Sequence, residues 1–398
     1  MMKNVRPSAP SLGLMITLVG FPQISESIFT PVLPELRRAF NVSASQVQLT
    51  MSTYFVAFAI GVLMWGQLAD KWGRRPAMLA GIAVYLLGNL GLYLTGTFTG
   101  LLGWRLIQAL GASAGSVVTQ TMMRESFSGI TGAKVFAKTS AAMALAPALG
   151  PLIGGVMQTY FGYRSVFATL VTMAVAVGLY ALSRLPETQR RDVQPPRVHQ
   201  WRVVRRLLTD PVVWGYGLLI GGINGILFSY YAEAPFIFMT HFGYSAVQYG
   251  WLGLVLASAS LLGALLVNRC LNFWTPEQVA LRGLLFSVVA SGGLVVAAYG
   301  QQPILMIGGI FLTFLGLNVT LPNALNRALV GYEAVMGSAS GWFSLGYYLV
   351  VSALTYGMSW LHNGAIQALP WYMAGLSGGM LLVFIGLIGS RIRATVTE

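Results

Sequence analysis

The sequence predicts an all-α integral membrane protein, with twelve transmembrane helices in two similar six-helix halves. Three observations predict it. Of the 398 residues, 56% are hydrophobic and only 9% charged, whereas a soluble domain carries roughly 25% charged residues. The apolar residues fall in long blocks, among them 12–21, 47–64, 77–94 and 376–388. Each lies in a window able to form about 20 residues of helix, enough to cross ~30 Å of hydrocarbon. One clearly hydrophilic stretch, 186–210, divides the chain near its middle.

Lipid offers backbone groups no partner, so a spanning segment must be a helix or part of a closed barrel. Barrel strands alternate over about 10 residues, and these runs are longer and uniformly apolar. The expected spans are 11–31, 46–68, 76–97, 99–122, 135–160 and 164–184 in the first half. In the second they are 211–236, 247–268, 279–299, 303–325, 337–360 and 366–390. The domains are then 1–186, a cytoplasmic linker 187–209, and 210–398. The linker region carries Arg190, Arg191, Arg197, Arg202, Arg205 and Arg206. The basic stretch 1–10 is short and the apolar run after it is long enough to be the first span, so no cleavable signal is expected.

The net charge of +13 follows membrane topology rather than nucleic acid. Numbering the loops alternately puts Lys3, Arg6, Lys71, Arg74, Arg75, Arg124, Lys134, Lys138, Arg184, the linker arginines, Arg269, Arg282, Arg327, Arg391 and Arg393 on one side. The other side has only Arg37, Arg38 and Arg164. Cytoplasmic loops carry the excess of Lys and Arg, so both termini are expected in the cytoplasm, and the linker arginines against anionic lipid. Cys270 is the sole cysteine, and His199, His241 and His362 are far apart, so neither a disulfide nor a metal cluster is expected.

Removing the loop charges leaves Glu26 in span 1, Arg105 in span 4 and, nearer an end, Glu233 in span 7. A charge at the bilayer centre costs about 2.5–3.5 kcal/mol on insertion scales, which makes each a functional candidate. At ~1.5 Å per residue, Glu26 lies about 22 Å along its span and Arg105 about 9 Å along one running the other way. They share a depth, and can pair if their helices are neighbours. Arg105 would then oppose the desolvation of Glu26, as suits a proton switch. Tyr230 and Phe236, three residues either side of Glu233, suit a lipophilic cation through cation–π contact.

Three motifs carry further information. Gly66-Gln67-Leu68-Ala69-Asp70-Lys71-Trp72-Gly73-Arg74-Arg75-Pro76 follows span 2. Its glycines let helix ends approach, Asp70 can cap the next helix, and Arg74 and Arg75 can pair with carboxylates. Span 4 holds Arg105-Leu106-Ile107-Gln108-Ala109-Leu110-Gly111. Span 5 holds Ala146-Pro147-Ala148-Leu149-Gly150-Pro151-Leu152-Ile153-Gly154-Gly155, where small residues allow close helix contact and Pro151 bends the helix.

The first motif resembles the signature loop of the major facilitator superfamily, G-x-L-A-D-x-x-G-R-[RK]-P, at every key position. The second resembles that family's R-x-x-Q-x-x-G, whose arginine is associated with proton coupling. The third resembles its antiporter motif, characteristic of exporters and not of symporters. Thr30-Pro31-Val32-Leu33-Pro34, the span 5 stretch, and Ala234-Pro235-Phe236-Ile237-Phe238 with His241-Phe242-Gly243-Tyr244-Ser245 are similar to the Bcr/CflA drug-resistance branch. That branch usually has an aspartate four residues before the first of two prolines closing span 1; here Ser27 stands there, and the acid is the adjacent Glu26.

The resemblance implies two six-helix bundles rocking about a midplane site in a bacterial inner membrane. It implies a monomer that needs no cofactor, drawing its energy from the proton gradient and exporting small lipophilic cationic or zwitterionic compounds. Glu26 and Arg105 would couple protons. Glu26, Tyr54, Phe58, Gln108, Tyr230, Glu233, Phe236, Phe314, Asn318 and Trp342 would meet substrate. Gly66, Asp70, Gly73, Arg74, Arg75, Gly150, Pro151, Gly154 and Gly155 would serve the conformational change. A dedicated exporter of a metabolite or siderophore would use the same frame. An enzyme would need a catalytic cluster that no loop supplies, and a channel would need a continuous polar pore.

Overall fold

A computed structural model describes residues 9–127, 129–189, 200–332 and 335–389. The first half holds α1 (Leu12–Ser27), α2 (Leu33–Ala39), α3 (Ala44–Trp72), α4 (Arg74–Leu94), α5 (Phe98–Ser126), α6 (Gly129–Phe161) and α7 (Tyr163–Arg184). A short helix, α8 (Gln200–Thr209), precedes the second half: α9 (Pro211–Pro235), α10 (Ala246–Cys270), α11 (Pro276–Tyr299), α12 (Pro303–Arg327), α13 (Met336–Leu361) and α14 (Ala368–Val383). A 3-10 turn, Thr30–Val32, joins α1 to α2, so that Leu12–Ala39 acts as one span. Pro31 and Pro34 lack the N–H that would continue α1 unbroken. Arg190, Arg191, Arg197 and His199 lie outside the described residues.

Eleven helices among the described residues are long and apolar enough to cross a membrane. The remaining expected span, 337–360, is α13, 26 residues long. It carries no Asp, Glu, Lys or Arg. Its serines and the Tyr347-Tyr348 pair interrupt its apolar run; Val351, Ser352 and Thr355 are buried, while Tyr356 and Trp360 are exposed. Most expected spans agree with the helices to within about four residues; the first runs on to Ala39 rather than ending at 31, and α6 starts at Gly129 rather than 135. Part of the hydrophilic linker is α8, whose buried Val203 and Leu207 pack on Tyr332 and Ala339.

The two halves repeat one packing scheme. In the first, α4 packs on α5 and α7, α3 on α5, and α1 on α6; in the second, α11 packs on α12 and α14, α10 on α12, and α9 on α13. Between the halves, α3 meets α13 and α6 meets α10. A sequence repeat underlies the scheme. Phe40-Asn41-Val42-Ser43-Ala44-Ser45-Gln46 leads into α3, and Phe242-Gly243-Tyr244-Ser245-Ala246-Val247-Gln248 into α10. Both serines close a capping box with the glutamine three residues on, satisfying two orphan donors at each helix start. Asn41 and Gly243 both turn the chain with positive φ, 51° and 72°, which glycine and asparagine tolerate best.

Equal counting from these caps reaches Gly81 in α4 and Gly283 in α11. Counting from the caps of α5 and α12 reaches Gly111 and Gly316. At all four, a side chain would collide with the neighbouring helix. A Cβ on Gly111 would stand 2.2 Å from the Tyr85 amide nitrogen, and one on Gly316 2.4 Å from Ser287 Oγ. Small residues thus bring α4 against α5, and α11 against α12, at near backbone contact. Below, the end where α1 begins and α7 leads into the linker is called the linker end, and the opposite end is called distal.

Candidate functional site

Arg105 lies on α5 with none of its surface exposed. Its guanidinium sits 4.6 Å from the Phe29 ring centroid and 4.4 Å from that of Tyr54. Nη1 donates to Gln108 Oε1 at 2.5 Å, and Nε approaches the Thr50 carbonyl oxygen at 3.4 Å. Gln108 Nε2 in turn donates to Asn89 Oδ1 on α4. Nη2 has no hydrogen-bond partner. The expected direct pairing with Glu26 is absent: among the described residues no ion pair joins them, although α1 and α5 are neighbours. A flat guanidinium stacks well on aromatic faces, and the two rings take its broad faces while Gln108, one turn along, takes an edge.

Glu26 is 3% exposed. Its charge is within electrostatic reach of Arg105 and of the tyrosines Tyr54, Tyr231 and Tyr348. The hydroxyls of Tyr54 and Tyr85 both approach Ser25 Oγ without completing a hydrogen bond of good geometry. The result is a buried polar pocket with donor capacity to spare, beside a carboxylate.

From this pocket a run of rings crosses between the halves. Tyr54 stacks on Phe58 at 5.8 Å, and Phe58 meets Tyr348 of α13 at 4.9 Å. Phe55 meets Phe228 of α9 at 4.1 Å, and the run continues through Tyr231 and Tyr230 to Phe314 of α12. Four of the expected substrate residues, Tyr54, Phe58, Tyr230 and Phe314, are brought together here. Phe55, Phe228, Tyr231 and Tyr348 complete the run and were not expected. The Tyr347-Tyr348 pair in an otherwise apolar span was the available signal.

The remaining expected residues lie elsewhere. Gln108 is buried between α4 and α5, occupied by Arg105 and Asn89. Asn318 donates to the Phe314 carbonyl oxygen and packs on Gly263 of α10. Trp342 is at the linker end, where its indole donates to Gln200 Oε1 of α8. Glu233 and Phe236 are at the distal end. Glu233 is not framed by Tyr230 and Phe236 as its spacing suggested. Tyr230 turns to Phe314, and Phe236 contacts the His362 ring at 5.5 Å. Glu233 itself meets His362 Nδ1 at 2.8 Å and Gln48 Nε2 at 2.5 Å. Neither partner was anticipated, because they lie far off in sequence on α3 and just beyond α13.

The signature loop is tied down at the linker end. Arg74 is 7% exposed; it pairs with Asp70 at 2.9 Å and with Glu125 of α5 at 2.5 Å. The expected capping by Asp70 does not occur, because Asp70 belongs to the last turn of α3 and meets the Arg74 side chain instead. Glu187 is the cap: its carboxylate accepts from the Arg74 and Arg75 amides, where an anion suits a helix start. Gly73 has φ 107°, and a Cβ there would stand 2.5 Å from Glu187 Oε2. Arg75 donates to the Leu182 carbonyl oxygen rather than to a carboxylate. Gly66 has only an ordinary contact, with Val117.

The span 5 motif seats α6 on two neighbours. A Cβ on Gly150 would fall 1.9 Å from Ser27 Oγ, and one on Gly154 2.1 Å from the Ile28 carbonyl oxygen, both at the C-terminal end of α1. Gly155 points to the other half, where a Cβ would meet the Ala246 carbonyl oxygen at 2.3 Å. Gly250 of α10 reciprocates, 2.8 Å from the Pro151 carbonyl oxygen.

The Major Facilitator Superfamily profile matches residues 15–355, and the chain belongs to that family of membrane transporters. Among its relatives, an uncharacterized transporter of Rickettsia bellii is 32% identical over 366 residues, covering 89% of this chain and 90% of the relative. A chloramphenicol resistance protein of Pseudomonas aeruginosa is 30% identical, covering 82% and 78%. Multidrug resistance protein D of Escherichia coli is 24% identical, covering 96% and 93%. The fold is also that of the E. coli xylose transporter in its partially occluded inward-open conformation. That match has a TM-score of 0.74 at 14% identity, covering 94% of this chain and 96% of the other.

Proposed function

We propose that this protein is a proton-coupled antiporter that exports small lipophilic cationic or zwitterionic compounds by alternating access. The carrying observation is the Arg105 pocket. A guanidinium wholly inside the bundle, with one nitrogen unpaired and a buried carboxylate alongside, is costly to keep in a membrane and gains its worth from charge movement. Protons arriving from the outer side load Glu26; the neutral acid releases a bound cation, and its deprotonation toward the cytoplasm resets the carrier. The aromatic run beside Glu26 offers π faces to a lipophilic cation. The names of the Pseudomonas and Escherichia relatives support efflux of toxic compounds. Bacterial inner-membrane residence, a monomeric state and cytoplasmic termini complete the reading, the last supported by the gathering of Lys and Arg at the linker end.

The test is proton movement in proteoliposomes when tetraphenylphosphonium is added, with and without an imposed pH gradient. The parent protein should exchange protons for the cation, and Glu26→Gln should not. Retained exchange in the variant would remove Glu26 from coupling. A parent protein inert to every cation tried would favour a dedicated metabolite or siderophore exporter.

A further inference from the structure

The distal end holds a second buried titratable cluster that the coupling site does not use. Gln48 sits in the first turns of α3, in one half. Glu233 closes α9, and His362 follows α13, both in the other half. Glu233 is 1% exposed and Gln48 fully buried, while the His362 side chain is 13% exposed. His362 Nδ1 lies 2.9 and 2.8 Å from the two Glu233 oxygens. Gln48 Nε2 donates to Glu233 Oε2 and lies 3.4 Å from His362 Nδ1. A carboxylate accepts, so Nδ1 carries a hydrogen.

We propose that Gln48, Glu233 and His362 form a proton-binding latch that shuts the distal end when His362 holds a proton and releases it when the proton leaves. With His362 neutral, the closed cluster buries one uncompensated negative charge, which is expensive in a dry site. With His362 protonated, the imidazolium and carboxylate cancel, and burial costs less. Parting the halves takes Gln48 away from Glu233 and lets water in, which removes the penalty on the anionic form. Closing over the paired charges therefore costs less than closing over a lone carboxylate, so low pH favours closure. The other titratable groups on elements packed here are Glu35, Arg37 and Arg38 of α2, His241 of the π-helical turn Phe236–His241, Tyr249 of α10 and Tyr372 of α14. None of them joins an ion pair with Glu233 or His362 among the described residues.

The inference rests on alternating access but not on Glu26. The experiment places spin labels at Arg37→Cys and Gln302→Cys, exposed distal sites on opposite halves, in a Cys270→Ser background in lipid nanodiscs. Their separation is measured from pH 5 to 9, with and without tetraphenylphosphonium. The parent should show two distances, with the longer gaining as pH rises, by at most ~10-fold in ratio per pH unit for one proton. His362→Gln removes the imidazole from the cluster and should favour the long distance over the range in which the parent closes. Glu233→Gln leaves an imidazolium with no carboxylate, so it should favour the short distance at high pH and open as pH falls, the reverse of the parent. A pH response unchanged in both variants, or Glu233→Gln opening as pH rises like the parent, overturns the latch. Distances that shift with the cation but not with pH also overturn it while leaving alternating access standing. One invariant distance overturns both.

Discussion

The two halves share a skeleton and differ in what they bury. Counting from matching caps, Tyr54, Tyr85, Asn89, Arg105 and Gln108 of the first half correspond to Leu256, Ser287, Ser291, Ile310 and Thr313 of the second. All ten are buried. The capping boxes, the positive-φ turns and the glycines of paired helices recur, but the guanidinium becomes an isoleucine and the amides become hydroxyls. One bundle thus demonstrates that the fold needs no charge at this place. The other retains it, which marks Arg105 and Gln108 as candidates for function rather than scaffold.

The sharpest way to break this comparison is to give the first half the second half's residues. Arg105→Ile with Gln108→Thr should lower proton-coupled exchange in proteoliposomes by at least ~100-fold. Its melting temperature in detergent should not fall, since replacing buried charge with apolar side chains is often neutral or stabilising by about 1–4 kcal/mol. Collapse of the double variant would show that the cluster is structural after all.

Shared steric features should respond equally. Gly111→Val and Gly316→Val each force a side chain into the opposing helix, an overpacking cost of about 1–3 kcal/mol or more. Both should lower the melting temperature, while Gly292→Ala, with open space around it, should not. Unequal losses would mean that one helix pair is free to relax.

Ion pairs at the linker end should respond unequally. Arg74→Gln strands Glu125 and Asp70 and should cost about 2 kcal/mol. Arg327, 43% exposed, pairs with the single carboxylate of Glu277, 12% exposed; Arg327→Gln strands one carboxylate rather than two and should cost about 1 kcal/mol. Equal melting shifts would deny the difference in burial any energetic meaning. The smallest effects belong to the caps: Ser43→Ala and Ser245→Ala should each cost about 1 kcal/mol, and to the same extent, by the same measurement.

The spans were legible because hydropathy is a one-dimensional property, and crossing a bilayer demands length and composition above all. The internal repeat is equally present in Phe40–Gln46 and Phe242–Gln248, in the polar turns between apolar blocks. Side-chain partners were less legible. A uniformly apolar helix does not announce which face meets its neighbours, so Trp342 was expected to meet substrate although it lies against α8. The pairing of Glu233 with His362 depends on the ends of α9 and α13 meeting in space. Glu187 took the capping role because the chain leaving α7 returns to the start of α4, a route that local spacing does not contain.

The seat of α6 on α10 also has a mechanical consequence. Gly155 and Gly250 bring backbone to backbone near the distal ends of two long rods. Some 30 Å of α10 extends from that seat to Cys270, at ~1.5 Å per residue. A tilt of about 10° about the seat would sweep the far end through roughly 5 Å over that length, while atoms beside the glycines would move by a fraction of this. The contact is a fulcrum set close to one end of a lever: a slight loosening there becomes a wide mouth at the other side.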